Sequence, residues 1–419
     1  MKKRILALSL AAAMVVGALA SCTATTEPAG SDATVEARDI TLTLWGSEQD
    51  QDFLKEVSAA WGTEYAAANA DVNSVTVNVQ IKGEDNAKTD ALNDISAAAD
   101  VFGVATDHLG PLSDANAIYE LPATIASDVK SIIGDNAVYQ ASVWEGKNYG
   151  LPYTDNTAAI LYYDKSKLSE EDVKSLNTIL EKANLGTGIG GGWHDGMWYL
   201  TAGELYTNGD TSINTMNNED VTKLLTWVSG QLKSGKLIHF DGEDDEAAAM
   251  KDGAIAAVIA GAWAHEKFEN AIGTENLGYA ELPNVTVPDS NITDKHMNCW
   301  GGAKMNVINA NSKEPEAALS LAQAIMSLDN QVKRFEMVRM APASTSLLSN
   351  AAIAADSMIA AEVAQTNYSS PASTLLGNSN YWGELGGITE AIRNKTLADG
   401  DIQSKLDAAV EAMQAAVNG

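Results

Sequence analysis

Only two cysteines, Cys22 and Cys299, occur in 419 residues. If Cys22 is modified, Cys299 has no partner, so an internal disulfide framework is excluded. Basic clusters are missing as well. Lys and Arg number 27 against 56 Asp and Glu, a formal net charge of −29. A chain of that sign repels nucleic acid and anionic lipid, and it favours neutral or cationic ligands. No apolar run beyond residue 20 is long enough to cross a membrane. The five histidines (His108, His194, His239, His265 and His296) show no i,i+4 pair, which argues against zinc. No Gly-x-Gly-x-x-Gly opens a helix, no P-loop is present, and no Gly-x-Ser-x-Gly elbow occurs. Neither a metal nor an organic cofactor is expected. Asp241 to Glu246 (DGEDDE) lacks the EF-hand spacing and reads as a solvated helix start. Gly186 to Gly192 (GTGIGGG) reads as a flexible loop.

What is present begins at the N-terminus. Lys2, Lys3 and Arg4 precede an apolar run of 16 residues, Ile5 to Ala20. That length fits a signal-peptide core and is short for a membrane span. The run ends in Leu19-Ala20-Ser21-Cys22, which resembles the bacterial lipobox. Residues 1–21 are therefore expected to be a signal peptide and Cys22 to carry lipid. The plain alternative is a signal peptide with an incidental cysteine. Thr23 to Arg38 is small, polar and aperiodic, so residues 22–38 read as the lipidated Cys and a flexible tether. The lipid would be the only membrane anchor.

About 380 residues remain, enough for two domains. Ile40 to Leu44 predicts a strand, and Phe53, Leu54, Val57, Trp61 and Tyr65 recur at helical spacing. Val75, Val77, Val79 and Ile81 alternate as a second strand. A helix over 90–99 and a strand over 101–105 follow. This βαβαβ order predicts a mostly parallel sheet with ligand beyond the carboxyl ends of its strands. A second α/β region starts near Ala158. It has strands at 159–163, 254–260 and 277–282, and helices at 221–232 and 244–251. A strand over 303–308 and a helix over 315–328 come next, and the last hundred residues are almost all helical.

The aromatic usage is uneven: nine Trp against five Phe. Several Trp stand beside Gly, His, Asp or Asn, as in Gly192-Trp193-His194-Asp195, Gly261-Ala262-Trp263 and Asn380-Tyr381-Trp382. A flat ring covers the C–H face of a sugar while carboxylates and amides accept from its hydroxyls. The alternative for each Trp is core packing, and for Trp45, Trp61 and Trp227 packing is the favoured reading.

Four segments carry a family resemblance. They are ITLTLWG (40–46), DVFGVATDHLGPLSDANAIYEL (100–121), GKNYGLPYTDNTAAILYYDKSKL (146–168) and DEAAAMKDGAIAAVIAGAWAHEKFE (245–269). Together the chain resembles the extracellular solute-binding proteins of ABC sugar importers, and within them the maltose/maltodextrin-binding group. The resemblance implies an α/β, two-lobe periplasmic-binding-protein fold with crossing hinge segments and a central ligand cleft. It implies an N-lobe of residues 39–153 plus 300–344 and a C-lobe of 154–298 plus 345–419.

Binding positions follow from the same resemblance. Ser47, Glu48 and Asp50 correspond to the polar group after the first strand. Asp107 is the carboxylate after the third, followed by His108 where maltose binders often carry Arg. The crossover carboxylate falls among Asp155, Asn156 and Thr157, with Asp155 chosen. Trp263 and Trp382 are the stacking residues, with Tyr381 adjacent. Trp193 to Tyr199 forms the central polar-aromatic segment. An aromatic common before the N-lobe carboxylate is lacking, and Trp300 is expected to replace part of that surface. The implied protein is a monomeric, non-catalytic, lipid-anchored binder on the outer face of the cell membrane. It would capture an oligosaccharide, maltodextrin first, and dock to the permease subunits. The rivals are a secreted polysaccharide-degrading enzyme and a surface glycan adhesin.

Overall fold

The protein is represented by a computed structural model that describes residues 37–155, 158–206, 210–371, 375 and 379–418. Cys22, the signal segment and nearly all of the tether lie outside the described residues, as does Asn156. The strands that matter are, in chain order, β1 (Arg38–Gly46), β2 (Val72–Ile81), β3 (Val101–Ala105), β4 (Leu151–Thr154), β5 (Ala159–Asp164), β6 (Leu185–Thr187), β7 (Leu237–His239), β8 (Ala257–Gly261), β9 (Leu277–Ala280), β10 (Cys299–Gly301) and β11 (Lys304–Ile308). Arg38, read from sequence as tether, already pairs with Val72 in the first ladder.

Two five-stranded sheets result. The first has the order β2-β1-β3-β11-β4, the second β9-β5-β8-β6-β7. In the first sheet β1 runs parallel to β2 and β3, whereas β11 is antiparallel to β3 and β4. The second sheet has β8 parallel to β6, and β6 to β7, with β5 antiparallel to β8 and β9. The expected mostly parallel sheet is thus mixed. The reason is topological: the chain leaves the first sheet through β4, builds the second, and returns through β11 in the opposite direction.

Local chemistry sets the element ends. Helix α1 (Gln51–Ala68) buries Phe53, Leu54, Val57 and Trp61 on one stripe. The helix expected over 90–99 is instead α2 (Glu84–Asn93), with Glu84 and Asp85 in its first turn, where the positive end of the helix dipole favours them. It stops where Asp94 turns back to accept from the Ser96 amide and hydroxyl. Helix α3 (Glu219–Ser234) opens with Asn218 capping the Val221 amide at 2.9 Å and closes on Gly235 at φ 74°. Helix α4 (Glu243–Lys251) stands between β7 and β8. The helix expected over 315–328 is α5 (Pro315–Met326), and a second helix, α6 (Leu328–Val338), follows it directly. They break where Ser327 caps the Asn330 amide. Helices α7 (Ser357–Thr366), α8 (Tyr381–Arg393) and α9 (Ile402–Asn418) follow.

The alternation of β5 divides the second core. Leu161 and Tyr163 face a cluster that includes α3, α8, α9 and Trp300, while Ile160 and Tyr162 face α4, α7 and Phe335. A separate core holds the first sheet against α1 and α5. The Cys299 thiol is buried and unbridged.

Candidate functional site

The carboxyl ends of β1 and β3, the start of β11, and the carboxyl ends of β6, β7 and β8 carry the chemistry. At the end of β1, Asp50 accepts from Arg334 Nε at 2.8 Å and Nη2 at 3.2 Å, and from Ser47 Oγ at 2.9 Å. Both members of this ion pair are buried, so Asp50 is a structural residue that fastens α6 to the first strand. Glu48, beside it, is exposed. At the end of β3, His108 is buried, with Nδ1 accepting from the Ala105 amide at 3.3 Å and Nε2 3.1 Å from Asp85 Oδ1. That hydrogen bond holds the Asp85 carboxyl below its ordinary range. Asp107 Oδ1 lies 3.8 Å from the same imidazole nitrogen. The first sheet therefore presents Asp85 and Asp107 as one polar group, with the buried His108 behind them.

The second sheet presents aromatics. Beyond β8, Trp263 donates from Nε1 to Glu243 Oε1 at 3.0 Å and packs 4.9 Å from the Trp193 ring. Trp193 follows the glycine loop after β6. That loop is fastened: the buried Asp195 carboxylate accepts from the Gly190 and Gly192 amides at 3.1 and 3.0 Å and from Thr389 Oγ1 at 2.7 Å. Gly192 sits at φ 76°, and a Cβ there would stand 2.7 Å from Trp382. The glycine is required both for its left-handed backbone and for the approach of the indole. Trp193, Trp263 and Trp382 are each half-buried and gather around this loop.

Four expected binding residues are almost wholly buried: His108 behind the first sheet's polar group, and three in the second core. Trp300 is 1% exposed and donates from Nε1 to the Tyr381 hydroxyl at 3.1 Å. Tyr381 is fully buried, edge-on to Trp300 at 5.1 Å and 4.8 Å from Trp382. Tyr199 is fully buried, with its hydroxyl donating to the Leu385 carbonyl at 2.8 Å. These last three side chains bury large apolar areas and satisfy their polar atoms inside the second core. They form the bed on which Trp382 rests, not a ligand surface.

Beside Trp263 and Trp193 a cavity of about 320 Å³ opens at the ends of β6 and β7, lined by Gly188, His194, Phe240, Glu243, Glu246 and Arg393 among others. Its size suits a small ligand. Glu246 is 2% exposed, and one of its oxygens has no hydrogen-bond partner. Burial pushes its carboxyl up to about 8 and lowers the His194 imidazole to about 4. At the crossover, Asp155 is half-buried and pushed up to about 7 by burial. It lines a smaller cavity of about 60 Å³ with Gly301 and Gly302. Close behind, the buried Glu362 carboxyl is raised further by burial and by Asp155. Among the described residues no group of three or more His, Cys, Asp or Glu is placed to hold a metal ion. Sequence reasoning missed Glu84, Asp85, Lys304 and Glu362, and it read Glu246 as part of a solvated helix start, whereas that carboxyl is buried beneath the cavity. The one available signal was a lysine opening an apolar strand at Lys304.

Comparison with known proteins agrees with this architecture. A structure solved with acarbose is 28% identical, covers 90% of this chain and 99% of that one, and superposes with a TM-score of 0.81. The maltodextrin binding protein MalE1 from L. casei BL23, solved without ligand, is 22% identical over 90% of this chain and 99% of its own, with a TM-score of 0.78. The galactooligosaccharide-binding protein of Bacillus subtilis (strain 168) is 22% identical over 410 residues, 91% of this chain and 90% of that protein. The maltodextrin-binding protein MdxE of the same organism is 23% identical, covering 89% and 88%. The fold is the two-lobe α/β fold of maltose-binding proteins. The profile described as bacterial extracellular solute-binding protein matches residues 60–361, well over half of the sequence, and the chain belongs to that family.

Proposed function

We propose that this protein captures an oligosaccharide outside the cytoplasm and delivers it to the membrane subunits of an ABC importer. The observation that carries the reading is the gathering of Trp193, Trp263 and Trp382 at the strand ends of the second sheet. The first lobe supplies the complementary carboxylates of Asp85 and Asp107, with the buried His108 imidazole behind them 3.1 Å from Asp85. Indole rings cover the C–H faces of sugar units, and carboxylates accept from their hydroxyls. Asp155 sits where the chain crosses between the sheets, in position to meet a ligand held by both lobes. The lobes are 39–153 with 300–344, and 154–298 with 345–419, although the Trp300 side chain belongs to the second core. Closure is a hinge movement in which the ligand bridges the two surfaces. A maltodextrin is the first candidate ligand, and the similarity to a galactooligosaccharide-binding protein makes a galactooligosaccharide the second.

Calorimetric titration of the domain beginning at Asp39 with both sugar series tests this reading. Saturable binding of one series is expected, with the sugar recovered chemically unchanged. Hydrolysis of the sugar, or no binding of either series, would sink it. The lipid anchor is tested separately. Cys22→Ala is expected to release the protein into the medium with sugar affinity intact, and retention on the cell would refute the anchor.

A further inference from the structure

Trp263 belongs to the second sheet, yet its ring is met from the first. Lys304 opens β11, and its Nζ stands 5.3 Å from the Trp263 ring centroid. The same ammonium lies 3.2 Å from Glu84 Oε1, and the lysine side chain is only 14% exposed. A cation shielded from water in this way is held over an indole face by the ring quadrupole. That face is also where the C–H groups of a sugar unit would lie. Carbon contacts need about 3.5–4 Å on each side of the sugar, so the space between Nζ and the ring cannot hold both. Another approach to Trp263 is narrowed by Trp193, whose ring is 4.9 Å away and inclined by 51°.

We propose that Lys304 is an affinity- and specificity-determining residue that competes with the ligand for the face of Trp263. The proposal rests on the sugar-binding reading of the cleft. A ligand gains the ring by moving the ammonium wholly onto Glu84, which is already within reach. A ligand that offers only a stacking face is disfavoured. One whose hydroxyls also accept from the displaced ammonium recovers part of the loss.

The test is calorimetric titration of wild type, Lys304→Met, Lys304→Arg and Glu84→Gln with maltotriose and with galactotriose, alongside sugar-free melting of each. Met keeps the length and removes the charge, so Lys304→Met is expected to bind the cognate sugar about tenfold more tightly. Lys304→Arg keeps a cation over the ring and should stay within about threefold of wild type. Glu84→Gln removes the alternative partner, drives the ammonium onto the ring and should weaken binding by about threefold or more. The opposite signs for Lys304→Met and Glu84→Gln separate competition from general damage, which would weaken both and lower both melting points. Weaker or unchanged binding by Lys304→Met overturns the proposal. If wild type binds neither sugar, the oligosaccharide reading itself fails and the competition falls with it. If wild type binds and Lys304→Met does not tighten, the competition alone is wrong.

Discussion

Truncating Trp263 removes a half-buried ring that touches Trp193 and holds Glu243, whereas truncating Trp300 empties the centre of the second core. Trp263→Ala is expected to weaken sugar binding roughly thirtyfold, from about 2 kcal/mol of lost contact, while leaving sugar-free stability nearly unchanged. Trp300→Ala is expected to cost about 3–5 kcal/mol of stability through the cavity it leaves and the unpaired Tyr381 hydroxyl. Titration and sugar-free denaturation of the two variants, side by side, decide the assignment, and equal profiles would refute it. Asp50 gives a second case. Its removal strands a buried guanidinium, so Asp50→Ala should cost about 3–5 kcal/mol of stability in a denaturant melt. A change under about 1 kcal/mol would show that the pair is not the clamp described here. Sequence alone did not separate these residues. Trp300, Trp263 and Trp382 all stand beside small or polar neighbours, and burial depends on which helix later covers them.

At the level of elements, the glycine loop after β6 shows how an unpromising stretch becomes part of a site. Its amides converge on one carboxylate, and that carboxylate is tied to α8 through Thr389. Asp195→Ala breaks several charge-assisted hydrogen bonds at once, and a loss of about 3 kcal/mol is expected. Faster hydrogen exchange at the Gly190 and Gly192 amides should accompany weaker sugar binding, and unchanged exchange would contradict the role. Nothing in GTGIGGG reveals this, because the partner acts through geometry a glycine run does not encode. Other elements were legible. Val75 to Ile81 alternates with period two, and α3 announces itself by its apolar spacing and the glycine that stops it. Strand direction was not legible: an apolar run such as β11 reads the same whether it lies parallel or antiparallel to β3. Nor does the sequence place Lys304 against Trp263, since that contact exists only once the chain has crossed between sheets.

For the molecule as a whole, the raised carboxyls make stability depend on pH. In the folded protein Glu246 holds its proton up to about 8, while in the unfolded chain it titrates at its ordinary 4.5. The folded state binds more protons between those values. The contribution is therefore complete below the ordinary value and drains away as pH rises towards 8, by up to about 1.4 kcal/mol per pH unit. Asp155, raised to about 7, acts in the same sense. His194, lowered to about 4, acts in the opposite sense below its ordinary 6.5. Comparing Glu246→Gln with wild type isolates the first effect. The wild-type protein should lose more stability than the variant in sugar-free melts between about pH 5 and about pH 8. Parallel curves would show that Glu246 is not buried in its proton-binding form.

The interleaving of the two sheets has a consequence for how the chain is assembled. Strand β11 lies between β3 and β4, so β4 has no neighbour in the first sheet until residue 308 has been delivered. The second sheet has all its strands by residue 280, but its core waits for Leu385, Ile388, Leu406 and Met413 from α8 and α9. A chain emerging N-terminus first can complete the first core once residue 343 is available, whereas the half of the second core that faces α8 and α9 waits for nearly the whole length. A truncation before residue 381 should therefore yield every strand of both sheets and a complete first core, but leave the face of the second sheet that meets α8 and α9 uncovered.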